Sequence, residues 1–527
     1  MPQIITDKRN QLQFLDLNAL INKNNPVRII DAFCQSFIPS DLGFLVKGLS
    51  HEGRPAFTAE ILIRIYIYGY LNGIRSSRKL ESECKRNIEL WWLLHQQCPN
   101  YKTISDFRKD NQEAFYNLFI LFRDFCLQQG LYGKKRVAID GSKFRAQNSR
   151  KNNYNIKKID QHLEYIENQT KAYLEEIGIN DKEEIKSLSK KEKKPLNKLK
   201  KRKKKYTKLK KKLEKSEDTQ ISTTDPDARK LPLRMKIVEV AYNVQSSVDD
   251  KNNLIVDYHV TNQTDHNALA PLAIDSKEAL ELGDHEELIV LADKGYYNGR
   301  QMHECHENNI DTLVSPKKSN NPGKATHVRK DKFKYDKSID EYICPQGKSL
   351  DHQGRFKRKN RNGEIVNYFD RYVASYSDCS QCVFFEDCVN SSSRSNKRGR
   401  YIDRSEYAGA VERNNKEVSK RKKEYRKRQA IVEHPFGTIK RQWGYTHTLL
   451  KGLDKVDTEF SLIMLSYNFK RTMSIMGKKK MRKALKGLIL SILAMRTVIE
   501  YHNTILLKDL KWMMGFNQLN NKLVIGG

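Results

Sequence analysis

Along the first 130 residues, apolar positions recur at helical spacing. Phe115, Leu118, Phe119, Phe122 and Cys126 fall at i, i+3, i+4, i+7 and i+11 and predict one buried helix face. An earlier helix is expected over 59–71, ending at the turn Asn72-Gly73. Thr103 with Asp106 three residues on has the form of a capping box and predicts a helix start. Between these helices stand Arg75, Arg78, Lys79, Lys85 and Arg86, beside Trp91 and Trp92. Short helices with basic outer faces fit a DNA-docking domain of helix-turn-helix type, although a bundle with a solvated basic face has the same pattern.

The next stretch keeps a helical period but loses its apolar density. Ile156, Ile159, Leu163, Ile166, Tyr173 and Ile177 follow a heptad frame with one polar gap at Thr170. Leu196, Leu199, Tyr206 and Leu213 follow a similar frame after Pro195. A break at Gly178 and Asn180 between the two predicts an antiparallel helical hairpin. Residues 190–215 hold sixteen cations against only Glu192 and Glu214, which makes this arm a solvated surface with non-specific phosphate affinity.

The period then changes to two. Runs over 238–248 and 254–261, separated by Asp249-Asp250-Lys251-Asn252-Asn253, predict a β-hairpin. Shorter β-rich runs cover 136–139, 287–291 and 312–315, with a helix expected over 267–282. Three antiparallel strands, two helix-linked strands and a later helix form the element order of an RNase H-like sheet. The expected fold is therefore α/β, an RNase H-like mixed sheet with flanking helices, interrupted by insertions.

Charge narrows the partner. Lys and Arg number 97 against 64 Asp and Glu, a net charge of +33 with neutral His, so a polyanion is the expected partner. The N-terminus has no apolar signal core. Apolar stretches near 57–70 and 485–499 are broken by Glu60 and Arg64, and by Lys486 and Arg496, which argues against a membrane span. Nine cysteines, an odd number, do not form a secreted disulfide framework. A cytoplasmic, nucleoid-associated protein acting on nucleic acid is expected.

The candidate chemistry is carried by carboxylates. Asp140 and Asp293 each end a predicted strand, and Glu433 lies in a basic helical segment with Lys440 two turns on, sharing its face. Taken singly, Asp140-Gly141 and Asp293-Lys294-Gly295 are ordinary turn sequences. Together, three carboxylates at one sheet edge suit two hard divalent cations and in-line phosphoryl transfer.

The strings VAIDGSKFRAQNS, YNVQSSVDDKNNLIVDYHVTN, LADKGYYNG and EYRKRQAIVEHPFGTIKRQWG resemble DDE transposases of bacterial insertion sequences. The likeness is greatest to the branch with a helical N-terminal domain and an E-H-P-F-G-x-I-K motif, and it spans residues 40–471 or so. It implies Asp140, Asp293 and Glu433 as the catalytic, metal-binding triad, with two Mg2+ (or Mn2+) ions. It also implies binding to terminal inverted repeats, strand cutting, joining to target DNA, and a homodimer on paired ends. One departure stands out. The related signature is Y-x2-R-x3-E-x6-K, but Tyr425 and Arg428 lie one residue too far upstream of Glu433, and Arg426 and Gln429 occupy the signature positions. On a regular helix Arg426 shares the Glu433 face and Arg428 does not, unless Pro435 kinks the helix. Tyr425, Arg426, Arg428 and Lys440 are the expected DNA-contacting residues.

The expected organisation is a helical DNA-binding domain over 1–130 and catalytic segments over 131–150, 221–320 and 406–475. Insertions fall at 151–220 (lysine-rich, helical) and 321–405 (cysteine-containing), and a basic helical tail covers 476–527. In the second insertion Cys379 and Cys382 have chelate spacing, and with Cys344 and Cys388 they are candidates for a structural Zn2+ site; the alternative is reduced thiols in a small core. Two other functions fit the composition: a catalytically inactive, transposase-derived DNA-binding protein, and a basic RNA-binding protein whose lysine arm does the binding.

Overall fold

The computed structural model describes residues 14, 16–45, 56–147, 150–176, 189–215, 220–232, 238–317, 328–360 and 363–488. Its centre is a mixed sheet of β1 (Arg136–Arg145), β2 (Val238–Asp249), β3 (Ile255–Thr261), β4 (Leu288–Ala292) and β5 (Ile310–Val314). Across the sheet the order is β3-β2-β1-β4-β5. The β1–β2 and β2–β3 pairs are antiparallel, and β1–β4 and β4–β5 are parallel. A short strand, Arg229–Pro232, pairs with the opening residues of β2. This is the RNase H-like order, and the strands fall within a residue or two of the sequence expectation except at β1.

β1 does not end at Asp140. Its parallel pairing with β4 stops at Ile139 opposite Ala292, but β2 continues alongside it to Arg145. A twelve-residue partner gives the second half of β1 a ladder that its own composition does not announce.

Both sheet faces are covered, which is why β2 is buried along most of its length. Leu269–Ala279 packs on one face, where Ser276 Oγ meets Ser247 Oγ at 2.6 Å. The long helix Leu453–Met476 packs on the other, with Phe460 against Phe144 and Ser461 Oγ 2.6 Å from the Tyr258 hydroxyl. That helix is buried nearly all round from Phe460 to Phe469, because the N-terminal helices close its outer side.

The N-terminal helices therefore share one apolar core with the sheet, running from Ile21 to Leu485. The predicted stripe of Phe115, Leu118, Phe119, Phe122 and Cys126 is fully buried on Gln112–Gln128. The preceding helix opens at Tyr101, and its cap is Asn100, which accepts from the Thr103 amide; the Thr103–Asp106 pair lies inside the helix. Arg75 is not a surface cation. It is buried, pairs with Glu459 at 2.7 Å and stacks on Tyr445. Glu459 also accepts the Leu449 and Leu450 amides, so the pair joins the N-terminal helices to the C-terminal one. Lys85 and Arg86 pair with Glu81 and Glu83 on their own helix turn, while Arg78 and Lys79 are exposed.

The lysine-rich segment forms the expected pair of helices, Ile156–Glu176 and Lys190–Glu214. Ile159, Ile166, Tyr206 and Leu213 meet between them, whereas Ile156 is exposed at the root. The break expected at Gly178 and Asn180 lies outside the described residues. The second insertion contains a separate five-stranded antiparallel sheet, in the order Tyr401–Ser405, Ile365–Val373, Ser349–Lys359, Glu341–Ile343 and Lys334–Asp336. Beyond Gly477, Met481 and Leu485 close onto the main core. Among the described residues no helix is long and apolar enough to cross a membrane.

Candidate active site

The end of the β1–β4 ladder sets the site. Ile139 is the last residue paired with β4, opposite Ala292, so Asp140 and Asp293 are the next positions on two neighbouring parallel strands. Paired positions point to the same face. That face also carries Phe144, which packs on Phe436 of the helix Lys422–Gly437. This helix brings Glu433 to the same place. Asp140, Asp293 and Glu433 all line one cavity of about 860 Å3, with Arg428, Gln429, Lys440 and Arg441 on its walls.

Gly141 sits inside β1, whereas Gly295 lies in the single 3-10 turn Lys294–Tyr296 capped by Asp293, and neither has a positive φ. A Cβ on Gly141 would stand 2.5 Å from Asp265 Oδ1 and 2.4 Å from Gln245 Nε2. One on Gly295 would stand 2.8 Å from Asp293 Oδ1, which accepts the Gly295 amide at 2.6 Å. Both glycines leave room for the close approach of carboxylates, and the turn reading holds for Asp293-Lys294-Gly295 but not for Asp140-Gly141.

Asp265, which the sequence reading passed over, is a fourth carboxylate of the cavity. It is fully engaged: Lys143 Nζ reaches both oxygens at 3.1 and 2.9 Å, and Asn243 and Gln245 amides donate to Oδ1 at 2.8 Å each. The Gln245 oxygen in turn accepts from the buried Tyr296 hydroxyl. The only sequence signal was an Asp in a turn after β3, which is common.

Asp140 and Asp293 are held differently. Asp140 Oδ1 accepts the Gly141 amide at 2.9 Å and Asp293 Oδ1 the Gly295 amide; among the described residues no donor is hydrogen-bonded to the second oxygen of either. Burial pushes the Asp140 carboxyl up to about 6, Asp293 and Asp265 add to the rise, and Arg428 opposes it. Glu433 is exposed at the rim, where the Gln429 amide donates to it at 2.8 Å.

Helix geometry decides between the two arginines. The helix passes through Pro435 without breaking and runs on into a π-helical turn, Thr438–Gln442. The face it turns to the cavity is broad: Arg428, Gln429, Val432, Glu433, Phe436, Gly437 and Lys440. Arg428 and Glu433 occupy its two flanks, so Arg428 reaches the site with no kink. Arg426 is exposed and does not line the cavity. Tyr425 sits behind the site, its hydroxyl donating to the Ala292 carbonyl just before Asp293 at 3.3 Å. Lys440 Nζ donates to the Lys143 carbonyl at 2.6 Å and lies over the Phe144 ring, fastening the helix to β1. His434 fastens its other side: Tyr467 donates to the Asn253 carbonyl at 2.7 Å and so accepts from His434 Nδ1, also at 2.7 Å.

Two family matches bear on this site. A transposase domain (DUF772) matches residues 15–110, and a transposase DDE domain matches residues 343–473. Together the two matches support a DDE transposase of the insertion-sequence type. The DDE-domain match includes Glu433 and the helix Leu453–Met476 but stops short of Asp140 and Asp293, whose association with Glu433 is a matter of geometry. No curated protein matches the transposase. Among solved structures, a chain of the piggyBac transposase synaptic complex with hairpin DNA aligns at 10% identity and a TM-score of 0.30. That alignment covers 90% of this chain and 82% of the other, and at such a score it carries no argument here.

The remaining candidates lie elsewhere in the transposase. Cys344, Cys379, Cys382 and Cys388 line a second cavity in the five-stranded insertion. Asp257, His259 and Asp275 bring three donor atoms within 4.8 Å of one another on β3 and the covering helix. None of these three lines the Asp140 cavity.

Proposed function

We propose that this transposase binds the terminal inverted repeats of its own element, cuts DNA there and joins the ends to target DNA. It acts as a homodimer on paired ends, in the cytoplasm at the nucleoid. The observation that carries the reading is the cavity into which three sequence-distant carboxylates converge beside Lys143, Arg428, Lys440 and Arg441. An RNA-binding protein working through its lysine arm has no need of that convergence.

The donor set fits hard divalent cations such as Mg2+ or Mn2+. All the candidate ligands are oxygens, and each aspartate keeps an oxygen without a protein donor among the described residues. Asp140 and Asp293 would hold the shared ion, and Glu433 would complete a second position. Two such ions supply an activated water or 3′-hydroxyl and a charge on the leaving oxygen of an in-line displacement. The protein's own part is positional. Asp265, paired with Lys143, ties the Lys143, Asn243 and Gln245 side chains together beside Gly141 without drawing on the ions. Arg428 and Lys440 present cations to the scissile phosphate. Arg426 contacts phosphate outside the cavity, and Tyr425 keeps the Asp293 strand seated.

An excision and integration assay in cells tests this, using a marker flanked by the DNA on either side of the gene. Wild type should mobilise the marker in a Mg2+-dependent manner, and purified Asp293→Asn protein should still shift the end DNA while cutting none. If wild type binds the ends but never cuts, the chain is an inactive DNA-binding relative. If neither end is bound in preference to bulk DNA, the transposition reading fails.

A further inference from the structure

The second insertion is too small to hold itself together by burial. Among its described residues the sheet and short helices enclose one small buried apolar cluster, Phe333, Tyr342, Leu350, Tyr372, Ala374 and Ile402, with Val328 and Val389 also buried. Domains with so little core usually carry a metal or disulfide staple. Beside this core is a cavity of about 340 Å3 lined by all four cysteines of the insertion, Cys344 from one stretch of chain and Cys379, Cys382 and Cys388 from another. None of the four forms a disulfide.

The backbone around two of them is already shaped to hold thiolate. Cys344-Pro345-Gln346-Gly347-Lys348 folds into a tight turn, with Gly347 N–H on the Cys344 carbonyl at 2.9 Å and Cys344 N–H on the Lys348 carbonyl at 2.8 Å. Gly347 has φ +81°, a conformation that favours glycine. The turn aims the Gln346 and Lys348 amides at Cys344 Sγ, at 3.4 and 3.3 Å. Across the cavity the Arg400 amide donates to Cys379 Sγ at 3.4 Å. It gets there because residues 399–400 press on 374–375: a Cβ on Gly399 would be 2.1 Å from the Ala374 carbonyl oxygen. A neutral thiol is a weak acceptor, whereas a thiolate gains from every such N–H. Arg400 also lines the cavity, where its charge offsets that of clustered thiolates, while Lys348 at the same cavity is paired with Asp378.

From these features we propose that Cys344, Cys379, Cys382 and Cys388 bind one Zn2+ as a tetrahedral tetrathiolate, a structural site independent of the carboxylate cavity. Each ligand loses its thiol proton to solvent as the Zn–S bond forms, and no redox change is involved. Among the described residues only Asp257, His259 and Asp275 offer three donor atoms all within 4.8 Å of one another, so the thiolates must draw in as the ion binds. The cavity between them is the space for that movement. This inference does not depend on the function proposed above.

The test uses full-length protein purified under reducing conditions without chelator. Wild type should carry about one zinc per chain, and Cys379→Ser/Cys382→Ser should lower it at least about tenfold, with Cys98→Ser as the unaffected control. To keep the test independent of the variant's solubility, wild type stripped of metal is also titrated with Co2+. Thiolate-to-cobalt charge-transfer and tetrahedral d–d bands at one equivalent support the site. The proposal is overturned if wild type carries no zinc and gives no cobalt spectrum, or if the double variant keeps its zinc.

Discussion

The sheet carries two groups of acidic side chains, and the tighter one is the less promising as a catalytic site. Asp257, His259 and Asp275 lie within 4.8 Å of one another, yet their charges are closed on each other. His259 pairs with Asp275 at 2.8 Å, and Asp257 accepts the Tyr116 hydroxyl at 3.1 Å and the Tyr258 amide at 2.8 Å. Asp140, Asp293 and Glu433 are looser, but they face a cavity walled by Arg428, Lys440 and Arg441. Strand parity separates the two groups. Asp140 pairs with Ser246, which pairs with Tyr258, so Asp257 and His259 point to the opposite face of the sheet. Proximity of carboxylates therefore says little by itself. Aspartate oxygens without a protein donor, facing a cavity that Arg428, Lys440 and Arg441 also line, say more.

The sharpest way to break this comparison is a pair of isosteric changes. Asp293→Asn should lower strand cleavage on the order of a thousandfold or more, while Asp257→Asn should leave it within about threefold. Equal losses in a single-turnover cleavage assay would mean that the tight cluster is part of the machinery. Next in size is Gly141→Ala, whose methyl group collides with Asp265 and Gln245. It should cost about 1–3 kcal/mol of stability by thermal unfolding and reduce cleavage even where the variant is folded.

The closed cluster makes a pH prediction of its own. Burial, reinforced by Asp257 and Asp454 and opposed by His259, pushes the Asp457 carboxyl up from 3.8 to about 6. A carboxyl raised on folding binds its proton more tightly in the native state, so its ionisation costs stability as pH climbs from about 4 to 6. Asp457→Asn should therefore be more stable than wild type at pH 7, by about 2–3 kcal/mol at most, with the advantage vanishing below pH 4. Denaturant unfolding at pH 4 and pH 7 reads the difference; a gain that is the same at both values would assign it to packing. The smallest effect belongs to Arg426→Ala. An exposed cation outside the cavity should weaken end binding by less than about tenfold and lower the salt slope by roughly one, without changing the cleavage rate of bound DNA.

Much of the fold was legible because period and turn residues are local. The 238–261 hairpin, the stripe on Gln112–Gln128 and the paired lysine-rich helices all follow from spacing. What misled was also local. Arg75 is written among surface cations, but its partner Glu459 lies 384 residues on. The β1 strand continues past Asp140 only because a longer neighbour pairs with it. Arg428 was read from a single helix line, whereas a long side chain on the flank of a broad face still reaches the site.

By itself the sequence determined the strand order, the basic character and the three carboxylates, because each is carried by residue type and spacing along one stretch of chain. The tertiary structure alone decided that Asp140, Asp293 and Glu433 share a cavity, that Asp265 lines it beside them and that Cys344 meets the segment holding Cys379, Cys382 and Cys388 around one small space. Those facts are set by ladder register and by which faces pack together. Both depend on contacts between separate stretches of chain, and no local period records them.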